Sequence, residues 1–591
     1  MSASVLKQYI EASLGKKRLT LFLKRATLLN VFTGELYEAS IGVYKDRIVY
    51  VGSAEREAER TLDASSFVAV PGFIDTHMHI ESTMLTPFRF AQAVLPHGTT
   101  SVYADPHEIA NVLGKEGVKM MAENARFLPL RFNFYCPTCV PESNAVTAGA
   151  ELKPEDIKEL LDSSLACALG EVMDYPAVLS TEQKMLEILK LARETPLVVD
   201  GHSPLLSVDE LNAYVTAGPE ADHENFTTES ALQKLRLGMF VKLRGPEILD
   251  VPRFVSMIKS LKSAPNILFC TDDLMPDTLY EKGHLDYICR SFVEHGLDPV
   301  EAVRNVTLRA AQHMRNHEIG AISPGRLADI VLLRSLEHFE VDSVIVDGEL
   351  VVHKRAFVRE LPKKQFEKSA QKSVKLRELK EDDFEVKPPV KDGQIVVRTI
   401  EFGSGGSDAG MGYLNTIVTS FGRASLRVKQ GEIILDDSVA YAFVFERHGK
   451  GGGSSYGFVK LLKEGALATT VSHDSHNLVV VGKNKKDMVN AANALIRCGG
   501  GFAASKGGEL LALLELPIAG LMSEESVELV AKKMKGLRRA FLELGAPDHP
   551  YMPLISMLSL SVIPHARITN KGVYDVDRQS FVDPIIEVRE E

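Results

Sequence analysis

Two histidines stand two positions apart in the segment Asp75-Thr76-His77-Met78-His79. Residues i and i+2 of an extended strand point to the same face, so both imidazoles can reach one site. Two neutral imidazoles on one face are a common pair of ligands for a transition metal. An isolated pair is more often only the polar end of a strand, so this interpretation needs support from other residues.

Histidines and carboxylates also follow other short apolar runs of the same region. They occur in the segments Asp105-Pro106-His107-Glu108, Gly170-Glu171, Asp200-Gly201-His202, Ala221-Asp222-His223-Glu224 and Cys270-Thr271-Asp272-Asp273. Each segment alone is best explained as a cap, a turn or a surface charge. Together the run ends place four histidines and three or four carboxylates on one rim, enough for two metal ions that share a water molecule. The pattern therefore indicates a metal-dependent hydrolase.

The elements that position these residues are short β-rich runs, which alternate with longer helical patterns after Pro71-Gly72. One such helix is expected behind a capping box at Ser180-x-x-Gln183, where Met185, Ile188 and Ala192 share an apolar face. Eight runs are predicted as strands: 73–75, 100–103, 132–134, 165–169, 197–199, 213–215, 239–241 and 267–269. This α/β alternation predicts a (β/α)₈ barrel of the TIM type, whose active site lies at the C-terminal strand ends.

The predicted barrel spans residues 71–318. The segments on either side of it lack the alternation of strands and helices. Residues 1–70 and 319–360 contain short strands and turns, and they predict a small composite β-sandwich domain into which the barrel is inserted. Residues 361–393 are strongly charged and predict a linker. Residues 394–591 predict a separate C-terminal α+β domain.

Composition excludes several broad classes of protein. Of the 591 residues, 45% are hydrophobic and 25% are charged, which excludes wholesale disorder. The net charge of −11 argues against a dedicated binder of nucleic acid or of anionic membranes. Six unevenly spaced cysteines do not form a disulfide framework, and the early apolar runs are too short for a signal peptide. We expect a cytoplasmic enzyme that acts on a small molecule, and a symmetric homodimer as the commonest assembly.

Longer motifs resemble a known enzyme family over nearly the whole chain. The segments 71–79 (PGFIDTHMH) and 324–331 (PGRLADIV) look like the opening and the return of the amidohydrolase superfamily. More narrowly, six segments resemble the bacterial adenine deaminases: HIESTM (79–84), DPHEIAN (105–111), EVMDYP (171–176), TDD (271–273), EGALATTVSHDSHN (464–477) and LPIAGLMS (516–523).

The resemblance implies hydrolytic deamination of adenine to hypoxanthine and ammonia. It implies two divalent metal ions, Mn²⁺ or Fe²⁺, although Zn²⁺ accepts the same ligand types. By the family pattern the ligands are His77, His79, His202, His223 and Asp272. A metal-activated hydroxide would attack C6 of the purine, and Asp272 would take its proton and pass it to the departing ammonia.

Two strand-end carboxylates compete for the remaining roles. We expect Glu108 to bridge the metal ions and Glu171 to protonate N1 of the purine. The reason is that a carboxylate shared by two metal ions is a poor acid at neutral pH.

Several alternatives remain open from the sequence. The same metal ligands would serve another aminopurine deaminase or a cyclic amide hydrolase, and an inactive barrel with a structural or binding role is a third alternative. His473 and His476 either belong to a polar turn or come from the C-terminal domain to complete the pocket.

Overall fold

The computed structural model describes residues 2–403, 417–547 and 553–590. The chain begins with one helix and five strands: α1 (Ala3–Ser13), β1 (Leu19–Leu29), β2 (Leu36–Tyr44), β3 (Arg47–Gly52), β4 (Ala58–Asp63) and β5 (Val68–Pro71). Strand β1 is central, because it pairs antiparallel with β2 and parallel with β4 and β5.

The next segment forms a barrel of eight parallel strands. They are β6 (Phe73–Met78), β7 (Thr99–Ala104), β8 (Arg131–Cys136), β9 (Ala168–Val172), β10 (Val199–Gly201), β11 (Ala221–Asp222), β12 (Phe240–Leu243) and β13 (Ile267–Phe269). Strands β6 to β10 pair in order, as do β11 to β13. The ring closes where Met78 forms a parallel bridge with Asp272, and where the backbone N–H of Glu220 donates to the carbonyl of Val199 at 3.0 Å.

Helices connect these strands and cover the barrel. They are α2 (Pro87–Val94), α3 (His107–Leu113), α4 (Lys115–Ala125), α5 (Pro154–Asp162), α6 (Tyr175–Leu179), α7 (Gln183–Glu194), α8 (Val208–Ala217), α9 (Thr228–Arg236), α10 (Val251–Ser260), α11 (Pro276–Lys282), α12 (Leu285–Glu294), α13 (Pro299–Asn305) and α14 (Leu308–His313). Short 3₁₀ turns span Glu81–Thr83 and Leu95–His97. In α7 the expected apolar face is buried, although the helix is capped at Glu182 and not at Ser180.

The sixth strand differs from its prediction. Residues 213–215, predicted as a strand, lie inside α8. This helix begins with a capping box, in which the Ser207 hydroxyl accepts from the backbone N–H of Glu210 and the Glu210 carboxylate accepts from that of Ser207. The capping pair therefore outweighs the strand propensity of Tyr214 and Val215, and the strand is formed later, by β11.

The chain then returns to the first domain with β14 (Ile330–Leu333), β15 (Val341–Val346), β16 (Glu349–His353) and β17 (Ala356–Phe357). Strand β14 pairs antiparallel with β5, with Val331 opposite Val70. The sheet has the order β17-β16-β15-β14-β5-β1-β2-β3, with β4 paired to β1. The chain segments before and after the barrel therefore form one sheet. The expected fold class, a barrel inserted in a β domain, is confirmed.

The C-terminal domain is an α+β unit. Its elements are β18 (Gly393–Phe402), β19 (Thr419–Lys429), β20 (Glu432–Ile434), β21 (Ala440–Phe445), β22 (Ser454–Lys460), β23 (Ala466–Thr469), β24 (Leu478–Gly482), α15 (Lys485–Cys498), β25 (Gly501–Lys506), β26 (Glu509–Glu515), α16 (Val527–Glu543), α17 (Pro553–Ser556), β27 (Ala566–Thr569), β28 (Gly572–Asp575), β29 (Ser580–Val582) and β30 (Ile585–Glu590). One sheet has the order β20-β19-β18-β22-β21-β24-β23-β25-β26, with β30 paired to β18, and β27 to β29 form a second.

The segment predicted as a linker is packed against the protein. It contains 3₁₀ turns at Lys368–Lys372 and Glu381–Phe384, and the side chains of Phe366, Leu379 and Phe384 are buried. These apolar residues anchor a segment whose charged neighbours face solvent.

The C-terminal domain lies against the mouth of the barrel. The backbone N–H of Ser523 donates to the carbonyl of Met84 at 2.9 Å, and the side-chain amide of Asn477 donates to the carbonyl of Thr147 at 2.9 Å. Residues of both domains therefore meet above the C-terminal ends of the barrel strands. Among the described residues, every helix is too short or too polar to span a bilayer.

Candidate active site

Six residues that were predicted as metal ligands or proton carriers meet at the C-terminal ends of the barrel strands. They are His77 and His79 at the end of β6, Glu171 in β9, His202 after β10, His223 after β11 and Asp272 after β13. All six side chains are buried. Parallel barrel strands end on the same side, so residues far apart in sequence converge there.

Asp272 faces both histidines of β6. Its Oδ1 lies 3.3 Å from Nε2 of His77 and 3.2 Å from Nε2 of His79. Its Oδ2 accepts a hydrogen bond from Arg244. Burial alone would raise the pKa of Asp272, but the Arg244 guanidinium and the His223 imidazole hold it well below its usual range. Asp272 is therefore an ionised carboxylate within reach of both imidazoles.

Glu171 lies between the two sets of histidines. Its Oε1 is 3.3 Å from Nε2 of His79, and its Oε2 is 2.8 Å from Nδ1 of His202 and 3.5 Å from Nε2 of His223. Burial would raise the pKa of Glu171, but His223 and His202 hold it well below its usual range. One carboxylate thus joins the histidines of β6 to those of β10 and β11.

Glu108 contacts the C-terminal domain instead. It lies near the start of α3, and its Oε1 is 2.7 Å from Nδ1 of His473, while Oε2 contacts Nε2 of His476. Burial lowers the pKa of His473, but the Glu108 carboxylate raises it well above its usual range. The position between the two histidine sets, which the sequence analysis assigned to Glu108, is occupied by Glu171. The structure brings His473 and His476 into the site through this contact.

The donor set fits two divalent metal ions. Three groups, each with ligand atoms within 4.8 Å of one another, share Glu171: His77-His79-Glu171, Glu171-His202-His223 and Asp105-His107-Glu171. The first two consist of predicted site residues. Nε2 of His202 and Nδ1 of His223 are buried without a hydrogen-bond partner among the described residues. Buried polar atoms are normally paired, so these nitrogens indicate a missing ligand. Imidazole nitrogens and carboxylate oxygens are ligands that manganese, iron and zinc all accept.

Asp200 orients His77, a role that the sequence analysis missed. Its Oδ2 accepts a hydrogen bond from Nδ1 of His77 at 2.8 Å and from Nζ of Lys242 at 2.6 Å. Burial would raise the pKa of Asp200, but Lys242 and His77 lower it below its usual range. The fixed Nδ1 turns Nε2 of His77 towards the site, as outer carboxylates do for metal-bound histidines.

Asp105 supports two other predicted residues. Its carbonyl accepts from Nδ1 of His79 at 3.0 Å, and its carboxylate accepts from the backbone N–H of Glu171 at 2.9 Å. Asp105 and Asp200 stand in strand-end segments that the sequence analysis singled out. Lys242 and Arg244 were missed because only histidines and carboxylates were weighed as functional groups, although both cations stand i and i+2 at the end of β12.

Two protein families match this chain. The amidohydrolase family matches residues 68–351, which cover the barrel and the return of the β domain. The adenine deaminase C-terminal domain matches residues 416–580.

Relatives match along nearly the full chain. The adenine deaminase of Clostridium acetobutylicum is 37% identical over 585 residues, which cover 98% of this chain and 100% of that protein. The adenine deaminase of Thermosipho melanesiensis is 38% identical, over 99% of this chain and 100% of that protein. Among solved structures, a β-aspartyl dipeptidase of Fervidobacterium islandicum AW-1 is 16% identical, covers 58% of this chain and 99% of its own, and gives a TM-score of 0.46.

Proposed function

The chain belongs to the adenine deaminases of the amidohydrolase superfamily, and we propose that it hydrolyses adenine to hypoxanthine and ammonia. The observation that carries the proposal is the pair of histidine sets joined by Glu171, because a deaminating hydrolase needs metal ligands of this kind. The full-length relatives named adenine deaminase support the choice of adenine as the substrate.

The proposed ligands of two divalent ions are the six residues at the strand ends: His77, His79, Glu171, His202, His223 and Asp272. We propose that Glu171 takes the shared position, and that the ions are Mn²⁺ or Fe²⁺. When bound, such ions supply Lewis acidity that lowers the pKa of a water molecule to about 7.

Asp272 is the proposed proton acceptor for the attacking water. The Arg244 contact holds Oδ2, so Oδ1 is the oxygen that faces the imidazoles of His77 and His79. Asp272 takes one proton as the water oxygen attacks C6 of the purine. It then delivers that proton to the exocyclic nitrogen, which leaves as ammonia when the C6–N bond breaks.

The Glu108–His473 pair is the proposed proton carrier for N1. A carboxylate shared by two metal ions is a poor acid at neutral pH. If Glu171 takes the shared position, it is therefore a poor proton donor to N1, although the sequence analysis assigned it that role. We propose that Glu108 and His473 share one proton at neutral pH, because His473 lowers the pKa of the Glu108 carboxyl and Glu108 raises the pKa of His473. Its transfer to N1 lets the ring accept electrons as C6 becomes tetrahedral, and the second proton of the water restores the pair.

The decisive experiment is an activity assay on the full-length protein. Protein loaded with Mn²⁺ or Fe²⁺ under reducing conditions is mixed with adenine, and ammonia and the ultraviolet change from adenine to hypoxanthine are followed. We expect release of one ammonia per hypoxanthine, and loss of activity after metal removal by a chelator. A folded protein that carries two metal ions and leaves adenine unchanged would contradict the proposal. Other aminopurines and then cyclic amides are the next substrates to assay.

We also propose a cytoplasmic location. All six cysteines are free thiols in the structure, which fits a reducing compartment such as the cytoplasm. The homodimer stays a prediction, and light scattering after size-exclusion chromatography measures it directly.

A further inference from the structure

The cavity above the proposed metal ligands has two unlike sides. Its barrel side carries histidines and carboxylates together with Arg244 and the apolar Met173. The C-terminal domain lines the cavity with His473, Asp474 and four apolar residues, which we call the apolar roof: Ile417, Met557, Leu560 and Ile563. These four side chains are buried, so the roof is closed to bulk solvent.

One buried arginine holds the backbone of this roof. Arg567, in β27, donates through Nε to the carbonyl of Ile563 at 2.9 Å and through Nη1 to that of Met557 at 3.2 Å. Its Nη2 donates to the carbonyls of Ile417 at 2.5 Å and Pro564 at 2.9 Å. Three of the four roof residues are therefore attached to one guanidinium group.

The roof residues need such a donor because they lie outside long regular elements. Met557 belongs to a short 3₁₀ turn, Met557–Ser559, and Ile563 and Pro564 precede β27. Buried carbonyls outside a regular ladder must be paired in another way. The carbonyl of Met557 also accepts from the backbone N–H of Leu560 at 3.2 Å, and that of Pro564 from the backbone N–H of Thr419 at 3.3 Å. The planar guanidinium offers five donors in a fixed fork, so it can pair several carbonyls and fix their relative positions.

We propose that the apolar roof receives one flat face of the purine ring, and that Arg567 is a positioning residue that holds the roof over the metal ligands. The inference rests on the proposed deamination of adenine. It assigns the C-terminal domain a direct part in substrate binding, through Ile417 and through apolar residues of the segment 557–563.

The chemistry of a purine matches the two sides of the cavity. A purine has polar edges, where its nitrogens need hydrogen-bond partners, and two flat faces that are largely apolar. The barrel side offers polar groups for the ring nitrogens and for the water that attacks one face of the ring at C6, and the roof offers aliphatic surface for the opposite face. Burial of that face stabilises the complex in proportion to the apolar area removed from water.

A matched pair of leucines tests the roof. Leu560 lines the cavity, whereas Leu558 is equally buried in the same segment and does not line it. In the metal-loaded full-length protein, we expect L560A to raise the KM for adenine about 10-fold or more, because apolar contact with the ring is lost. The kcat should stay within about 3-fold, because the roof does not touch the reacting atoms. We expect L558A to lower the Tm similarly but to leave KM unchanged.

Arg567 is tested by R567M and by the conservative variant R567K. We expect R567M to raise KM as L560A does, and R567K to restore part of the loss because it keeps a donor for some of the carbonyls. A merely structural role would lower Tm without separating KM from kcat. Equal effects of L560A and L558A on KM would overturn the inference, even if R567M fails to fold.

A binding measurement separates this inference from the proposed function. Hypoxanthine, the expected product, is titrated into metal-loaded wild type, L560A and L558A by isothermal calorimetry. Weaker binding to L560A than to L558A supports the roof whether or not adenine is turned over. If wild type is inactive on adenine but binds hypoxanthine through the roof, only the proposed reaction fails. Equal binding by both variants overturns the roof.

Discussion

Nδ1 of His473 lies 2.7 Å from Oε1 of Glu108, so a histidine of the C-terminal domain contacts a carboxylate of the barrel inside the active site. Both side chains are buried. The contact joins the two domains at one site, because the barrel carries the proposed metal ligands while a histidine of the C-terminal domain lowers the pKa of Glu108. Both carboxylates lie near His107 of the barrel, Glu108 at 3.6 Å and Glu171 at 3.5 Å, but Glu171 also contacts His79 and His202, whereas Glu108 contacts His473.

The first prediction tests the different roles of these two carboxylates by mutating each to glutamine. We expect Glu108→Gln to lower kcat by about 10² or more with two metal ions per chain retained, because it removes the proton carrier but none of the ligands. We expect Glu171→Gln to lose metal, because it neutralises the shared carboxylate. Steady-state kinetics and metal analysis by mass spectrometry measure both. Metal loss in the Glu108 variant with retention in the Glu171 variant would restore the assignment made from the sequence.

A second prediction concerns Asp200, which fixes Nδ1 of His77. We expect Asp200→Asn to weaken metal binding by about 10- to 100-fold, because the amide no longer sets the orientation and basicity of the imidazole. Competition against a chromophoric chelator measures the affinity. Asp209→Asn, on the exposed surface of α8, is the control and should bind metal like wild type. Unchanged affinity in the Asp200 variant would remove Asp200 from the metal centre.

Arg244 sets the pH range in which Asp272 accepts a proton. Burial raises the pKa of Asp272 and the guanidinium lowers it, so Arg244→Met should raise that pKa. The base must be ionised to act, so the acid limb of the kcat/KM profile should move to higher pH. Rates measured from pH 4 to pH 9 detect the shift as an acid limb that the variant shows at a higher pH than wild type does. A uniform fall in rate with an unmoved acid limb would contradict this role.

His284 predicts a pH dependence of stability. Burial lowers the pKa of His284 to about 3, against about 6.5 in an unfolded chain. Below about pH 6.5 the unfolded chain therefore binds a proton that the folded chain does not, and the free energy of unfolding falls as the pH falls. The expected slope from this residue is about 1.4 kcal/mol per pH unit down to about pH 3.

Thermal unfolding at pH 7.5 and pH 5.5 checks the His284 prediction. We expect His284→Gln to show a smaller loss of Tm between these two values than wild type does. His317→Gln, at an exposed position, serves as the control and should lose as much Tm as wild type. An equal loss in His284→Gln and wild type would show that this histidine does not carry the effect.

Much of the architecture was predictable because it follows from local patterns. The strand-end histidines and the return segment at 324–331 predicted the inserted barrel, and the relatives confirm the family. The sixth strand was misplaced because Tyr214 and Val215 favour strands, while the capping pair Ser207 and Glu210 starts a helix. Residue propensities alone do not show whether the strand preference of Tyr214 and Val215 or the helix start at Ser207 prevails.

The sequence by itself determined which residues were available for metal chemistry, because histidines and carboxylates at recurring strand ends must converge in a parallel barrel. Only the tertiary structure decided which side chains the two carboxylates contact. Glu108, near the start of α3, contacts His473, whereas Glu171, in β9, contacts His79 and His202. His473 follows Glu108 by hundreds of residues in the chain. The roof held by Arg567 was decided in the same way, since its contacts join segments whose proximity depends on how the C-terminal domain packs on the barrel.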